Sequence, residues 1–174
     1  AFRSLGLDRR AALWAVRRLP DDVPLPLFEA AQAREQEDEH AAPLPLMPMA
    51  EHVVADYQTA RLSLKGHPMQ FLRAMFEAER VATCRAVSQS VERDNGRRLR
   101  CAGVVLVRQR PGSANGVIFI TLEDETGIAN LVVWPAVMEK FRKEVMGARL
   151  LWVEGKIQAS PEGVVHLVAE RLAD

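Results

Sequence analysis

The chain has 174 residues, of which 48% are hydrophobic, and its 23 basic and 23 acidic side chains leave no net charge. That length holds one ordinary domain or a small domain with appendages, and the balanced charge points neither toward nor away from a polyanionic partner. Two cysteines exclude a disulfide framework and suit a reducing compartment, no window approaches the ~18 apolar residues of a membrane span, and the start Ala1-Phe2-Arg3-Ser4 lacks a signal-peptide layout, so a piece of a longer protein is expected.

The zero total hides segregation. Net charge is +2 over residues 1–28, −6 over 29–60, +7 over 61–110 and −3 over 111–174. Local fields of this kind, and not the total, steer a charged partner. In chain order, residues 8–18 read as a short helix with Asp8 as N-cap. Gly6 offers a tight turn after the last turn of a preceding helix, the layout of half a helix-hairpin-helix. Its Gly6 turn is a candidate phosphate contact or a structural remnant. Residues 20–49 carry prolines at 20, 24, 26, 43, 45 and 48 and the acidic run Glu35-Gln36-Glu37-Asp38-Glu39. That composition predicts a linker, with a candidate short helix around 28–36. A helix is expected over 50–63. A second follows over 68–78, with Pro68 in its first turn. Residues 80–88 read as extended, and Asn95-Gly96 as a turn.

From Leu99 the pattern becomes β. Strands are expected over 99–108, 117–123, 128–134, 150–158 and 164–169, with one helix from Pro135 to about Met146. Three strands, a helix and two strands is the order of an OB-fold, a small Greek-key barrel. The expected fold class is therefore mostly β with α appendages. A partial helix-hairpin-helix occupies 1–19, a Pro-rich acidic linker 20–49, a helical connector 50–79 and a five-stranded OB-fold barrel 80–174.

Alternation in the second strand turns Ile118, Ile120 and Leu122 inward and leaves Phe119 and Thr121 outside. An aromatic on an outer barrel face is a stacking platform for a base. The competing reading packs Phe119 beneath a helix or linker. Asn130, on the third strand, is a candidate base-edge reader on the same face or a plain surface residue. Arg98 and Arg100 open the first strand, and Arg108 and Arg110 close it beside the loop Pro111–Gly116. Arginines there suit phosphates or a solvated surface. Trp134 and Trp152 read as core or edge residues. The Glu123–Gly127 run reads as a turn with Gly127 at positive φ. Pro24-Leu25-Pro26-Leu27-Phe28 has the form of a short docking peptide, with Leu25, Leu27 and Phe28 as anchors, or pins the linker to the fold. His40, His52, His67 and His166 are scattered and neither cysteine has metal-ligand spacing, so no catalytic or metal site and no cofactor is expected in this segment.

Several stretches resemble the C-terminal region of error-prone bacterial C-family DNA polymerases, the damage-tolerance paralogues of the replicative polymerase III alpha subunit. They are Ala1–Arg10, Leu62–Leu64 with His67-Pro68, Val105–Gly112, and Thr121–Pro135. The resemblance implies a parent acting in mutagenic translesion synthesis and DNA repair in the bacterial cytoplasm. Its Mg-dependent palm carboxylates would lie upstream. The OB domain would bind single-stranded DNA template. Partners would be an inactive Y-family-like polymerase and a recombinase-like protein, with the sliding clamp contacted through Leu25–Phe28 or, in this family, through the Y-family-like partner. Ile118–Ile120 with Asn130 is also similar to the anticodon-binding OB domain of aspartyl- and lysyl-type tRNA synthetases, where the matching Phe stacks on a base. The alternative to DNA binding is a protein-interaction module that brings the polymerase to these partners. A synthetase anticodon domain is disfavoured by the helix-hairpin-helix start and the long N-terminal extension.

Overall fold

The computed structural model describes residues 2–17 and 44–174. The chain divides into two units, Ala1–Leu62 and Ser63–Asp174. That boundary falls inside the segment read as one helical connector. The docking-like peptide Leu25–Phe28 and the acidic run 35–39 lie outside the described residues.

In the first unit, Phe2–Leu5 form a short 3-10 turn, followed by helix α1, Arg9–Arg17. Asp8 caps α1 as the sequence predicts, its Oδ1 accepting from Ala11 N at 2.7 Å. Helix α2 is Met49–Ala60 and stops at Arg61, which takes a left-handed conformation with φ 62°. Ion pairs Arg9–Asp56 and Arg10–Glu51 join the two helices.

The second unit opens with a 3-10 turn, Pro68–Phe71, and helix α3, Arg73–Ala78. The single helix expected over 68–78 is thus two pieces. His67 caps the first, its Nδ1 accepting from Met69 N at 3.1 Å. Residues 80–88 are not extended: after one bridge between Ala82 and Cys101 they form helix α4, Cys84–Ser88. The overlooked signal is Thr83, whose hydroxyl accepts from Ala86 N at 3.1 Å and starts the helix. At Asp94–Arg97 the chain makes a type II turn, with Gly96 at φ 81° and Arg97 N bonded to Asp94 O at 2.9 Å.

Five strands follow: β1 Arg98–Gln109, β2 Ile118–Asp124, β3 Gly127–Val133, β4 Leu150–Ala159 and β5 Val165–Ala173. They close in the order β1-β2-β3-β5-β4, antiparallel except for β3 with β5. This is the expected OB barrel. Between β3 and β4 stand two short helices, α5 Pro135–Lys140 and α6 Arg142–Gly147, where one helix is predicted. The break is Phe141, at φ −118° and ψ 37°.

Alternation fills the barrel. Ile120, Leu122, Leu131, Leu151, Val153 and Leu167 are all at most 1% exposed, and Met138 and Val145 from α5 and α6 belong to the same core. Each such Leu or Ile contributes ~1.5–3 kcal/mol by leaving water. Closure needs backbones to pass closely at Gly155, where a Cβ would stand 2.2 Å from Val168 O. A second cluster lies on the outside of β1 and β4. There Met69, Phe76 and Val81 pack on Ala102, with Trp152 partly buried among them. Residues 69–81 of this unit therefore roof one sector of the barrel wall.

Candidate nucleic-acid interface

β2 alternates buried and half-buried positions along its whole length. Phe119 and Thr121 stand on the outer face, between inward Ile118, Ile120 and Leu122. The register sets Phe119 between Gln109 of β1 and Val132 of β3, and Thr121 between Val107 and Asn130. Thr121 Oγ1 donates to Asn130 Oδ1 at 3.1 Å, which leaves the exposed Asn130 amide NH2 to donate outward. Phe119 is half-buried. Its neighbour is the His166 ring of β5, with centroids 6.4 Å apart and planes tilted by 59°. Together with Val132, Gln158, Ser160 and Val164 the two rings line an open groove of about 360 Å³.

The four arginines expected at phosphates divide by their partners within the fold. A β-bulge between Val105 and Val107 adds one residue to β1. An extra residue inverts the side-chain alternation beyond it. Arg108 consequently lies opposite inward-facing Ile120, and Gln109 takes the outer place beside Phe119. Arg108 Nε donates to Val145 O at 2.7 Å, at the end of α6, and burial pulls its guanidinium below the ordinary value. Arg98 is bonded to Glu170 at 3.0 Å and Arg100 to Glu154 at 2.9 Å. Arg100 and Glu154 are direct cross-strand partners, whereas Arg98 faces Lys156 across β4 and reaches Glu170 on β5. Arg110 alone of the four makes no ion pair or hydrogen bond with any described residue, and it stands exposed at the start of the β1–β2 loop.

The turn between β2 and β3 is more than a loop. Asp124, 3% exposed, accepts five hydrogen bonds. They come from Thr126 N, Thr126 Oγ1, Gly127 N, Cys84 N and Arg73 Nη2, at 2.8, 2.6, 3.2, 2.8 and 2.8 Å. Burial pushes its carboxyl up, but the Thr126 and Cys84 donors and the Arg73 charge outweigh burial and hold it below the usual carboxylate range. Arg73 also takes Glu125 at 2.5 Å. The carboxylates of this turn are thus tied to the connector. Gly127 has the expected positive φ, 152°.

His166, Gln109 and Gln158 escape sequence reasoning because they reach the Phe119 face only through pairing. The period of β5 shows His166 to be outward, but nothing in one sequence says that β5 lies parallel to β3. Trp134 is 53% exposed and so is not a core residue; of its two readings the edge position remains. Trp152 is partly buried in the second cluster. Among the described residues no three His, Cys, Asp or Glu side chains gather as a metal site, and no helix is long and apolar enough to cross a membrane.

Residues 99–174 match the family described as OB-fold nucleic acid binding domain. Over all 174 residues the chain is 88% identical to the Error-prone DNA polymerase of Rhodopseudomonas palustris (strain BisA53), of which it spans 15%. It is 79% identical to that of Bradyrhizobium sp. (strain ORS 278), again spanning 15%. With that of Brucella abortus biovar 1 (strain 9-941) it shares 63% identity and spans 16%. Among solved structures, asparaginyl-tRNA synthetase from Pyrococcus horikoshii is 29% identical over 53% of this chain and 22% of its own, with a TM-score of 0.44. Residues 99–174 form the OB-fold barrel, in a segment similar over its full length to error-prone DNA polymerases.

Proposed function

We propose that this domain binds single-stranded DNA along the outer face of β2, β3 and β5, on behalf of a polymerase that copies damaged template. The observation that carries the reading is the half-buried Phe119 ring beside His166 at an open groove. A base laid on such a ring gains ~1–3 kcal/mol whatever its identity. Asn130 and Gln158 supply amide edges on either side, and Arg110 supplies a cation at the loop. One unpaired arginine gives little charge, so binding should be weak and sequence-tolerant, as suits a segment that hands template onward. The polymerase activity itself, with its metal chemistry, is placed by this reading on the remaining length of the parent protein.

The test is a titration of a labelled oligo-dT against the 174-residue chain at 50 and 200 mM salt, with Phe119→Ala alongside. Phe119→Ala should weaken binding roughly 5- to 100-fold at both salts. Equal binding by the two proteins, or no binding by either at low salt, removes the reading.

A second reading is favoured by one observation. Leu13 and Trp14 of α1 are 53% and 48% exposed, and with Arg10, Arg17 and Leu44 they line a small hollow in the first unit. A surface of this kind suits an apolar, acidic segment of a partner protein. Pull-down of accessory polymerase or recombinase-like partners that is lost in Trp14→Ala and kept in Phe119→Ala would support it.

A further inference from the structure

The geometry points to Trp134 as a second stacking platform, which takes the base next to the one on Phe119, with Arg110 holding a phosphate beside it. This rests on the reading of the Phe119 face as a single-strand site, and it extends that site toward the β1–β2 loop.

Trp134 follows the last residue of β3 and keeps an extended backbone, φ −73° and ψ 154°. Alternation therefore runs one step past the strand. Val133 is buried at 0% and Val132 faces outward toward the groove, so Trp134 projects from the same face as Val132 and Asn130. Its carbonyl accepts from Met138 N at 2.9 Å and starts α5, but its indole makes no hydrogen bond with any described residue. A tryptophan 53% exposed on a wall whose other outward Trp, Trp152, is partly covered by the connector calls for an occupant.

Register supplies the distance. Phe119 pairs with Val132, two residues before Trp134. Two residues of strand advance ~7 Å and neighbouring strands lie ~4.8 Å apart, which makes Phe119 and Trp134 diagonal neighbours ~8 Å apart at Cα. Adjacent bases of one unstacked strand can take one ring each over such a span. Going the other way, His166 lies level with Asn130, because Leu131 pairs with Leu167. The three rings thus step along the axis of β3, from the β4–β5 turn to the β1–β2 loop.

The cation sits at the Trp134 end. A Cβ placed on Gly116 would be 3.5 Å from both Arg110 Nη2 and Pro135 Cγ. Arg110 Nη2 and Pro135 Cγ thus both border Gly116, which places the guanidinium in the neighbourhood of the residue that follows Trp134. An indole face with an adjoining unpaired arginine is the pairing that single-strand binders use for base and phosphate.

Tryptophan emission reads this site directly. The 174-residue chain is titrated with dT12 at low salt, together with Trp134→Phe, Trp134→Leu and Phe119→Ala, and the melting temperature of each is recorded. The expected result is that dT12 quenches wild-type emission, and that Trp134→Phe binds within about twofold of wild type but loses most of the quench. Trp134→Leu should bind roughly 5- to 100-fold more weakly. If Trp134→Leu binds as wild type does, or the quench persists in Trp134→Phe, while Phe119→Ala still weakens binding, the Trp134 proposal fails and the single-strand reading stands. If wild type itself does not bind dT12, both fail.

Discussion

Asp124→Asn is a near-isosteric change that should cost more stability than most surface or core trims. One oxygen of Asp124 receives Thr126 N, Thr126 Oγ1 and Gly127 N; the other receives Cys84 N and Arg73 Nη2. All five partners are donors. An amide can present one oxygen only, so its NH2 must face either the turn or the connector, donor against donor. The Arg73 charge, 14% exposed at its side chain, also loses one of its two carboxylates. Breaking a buried pair from one side costs ~3–5 kcal/mol, against a total of ~5–15 kcal/mol for a domain. Urea unfolding followed by far-UV circular dichroism should show the midpoint falling by that equivalent at an unchanged slope. Acid provides a second arm. The folded carboxyl titrates below its unfolded value of about 3.9. Its contribution is therefore complete above that pH and is lost as pH falls through the folded pKa. Wild type should lose stability over that window, and Asp124→Asn should lack that component. A loss below about 1 kcal/mol, with the acid limb unaltered, would refute the assignment of Asp124 as the tie between turn and connector.

Gly155→Ala places a methyl 2.2 Å from Val168 O and 2.8 Å from its carbonyl carbon, so thermal melting should show a loss of ~1–3 kcal/mol or failure to close the barrel. Arg110→Ala should lower single-strand affinity and reduce the salt slope by about 1. Arg108→Ala should leave that slope alone and cost ~1–2 kcal/mol of stability through the lost bond to Val145 O. Cys84 and Cys101 are buried, with sulfurs 3.8 Å apart. Their hydrogen bond, and then burial, push the Cys84 thiol far up. Ellman's reagent at pH 8 should therefore find no reactive thiol in the native chain and two after denaturation.

The barrel was legible because its information is local. Inward Ile118, Ile120 and Leu122 and outward Phe119 and Thr121 follow from a period of two, and Gly96 and Asp8 declare a turn and a cap by residue type alone. The position of Arg108 was not legible because one residue changed parity. Nothing in Val104-Val105-Leu106-Val107 marks a bulge, since four apolar residues in a row carry no alternation to interrupt. Arg108 and Gln109 exchange faces on that account. Residues 80–88 failed differently: five residues are too few to show a helical period, and only the Thr83 hydroxyl announces the start. His166 and Gln158 depend on which strands become neighbours, which is a property of closure and not of any window.

Coverage explains why the recognition surface lies where it does. A closed five-stranded barrel has no free edge, so a ligand must use a wall or an end. At one end, Met138 and Val145 from α5 and α6 join the core. The β1–β4 wall carries Met69, Phe76 and Val81 of the connector, held down by Arg73 on Asp124 and Glu125. Glu170 is shared between Arg98 and Lys156, at 3.0 and 3.1 Å, and ties the outward faces of β1, β4 and β5 together. Phe119, His166 and Trp134 stand on a different sector of this unit, beside a loop whose Arg110 has no partner among the described residues. Aromatic faces left uncovered cost solubility unless a partner stacks on them. A strand of bases would meet that requirement without demanding sequence, as the proposed single-strand reading expects.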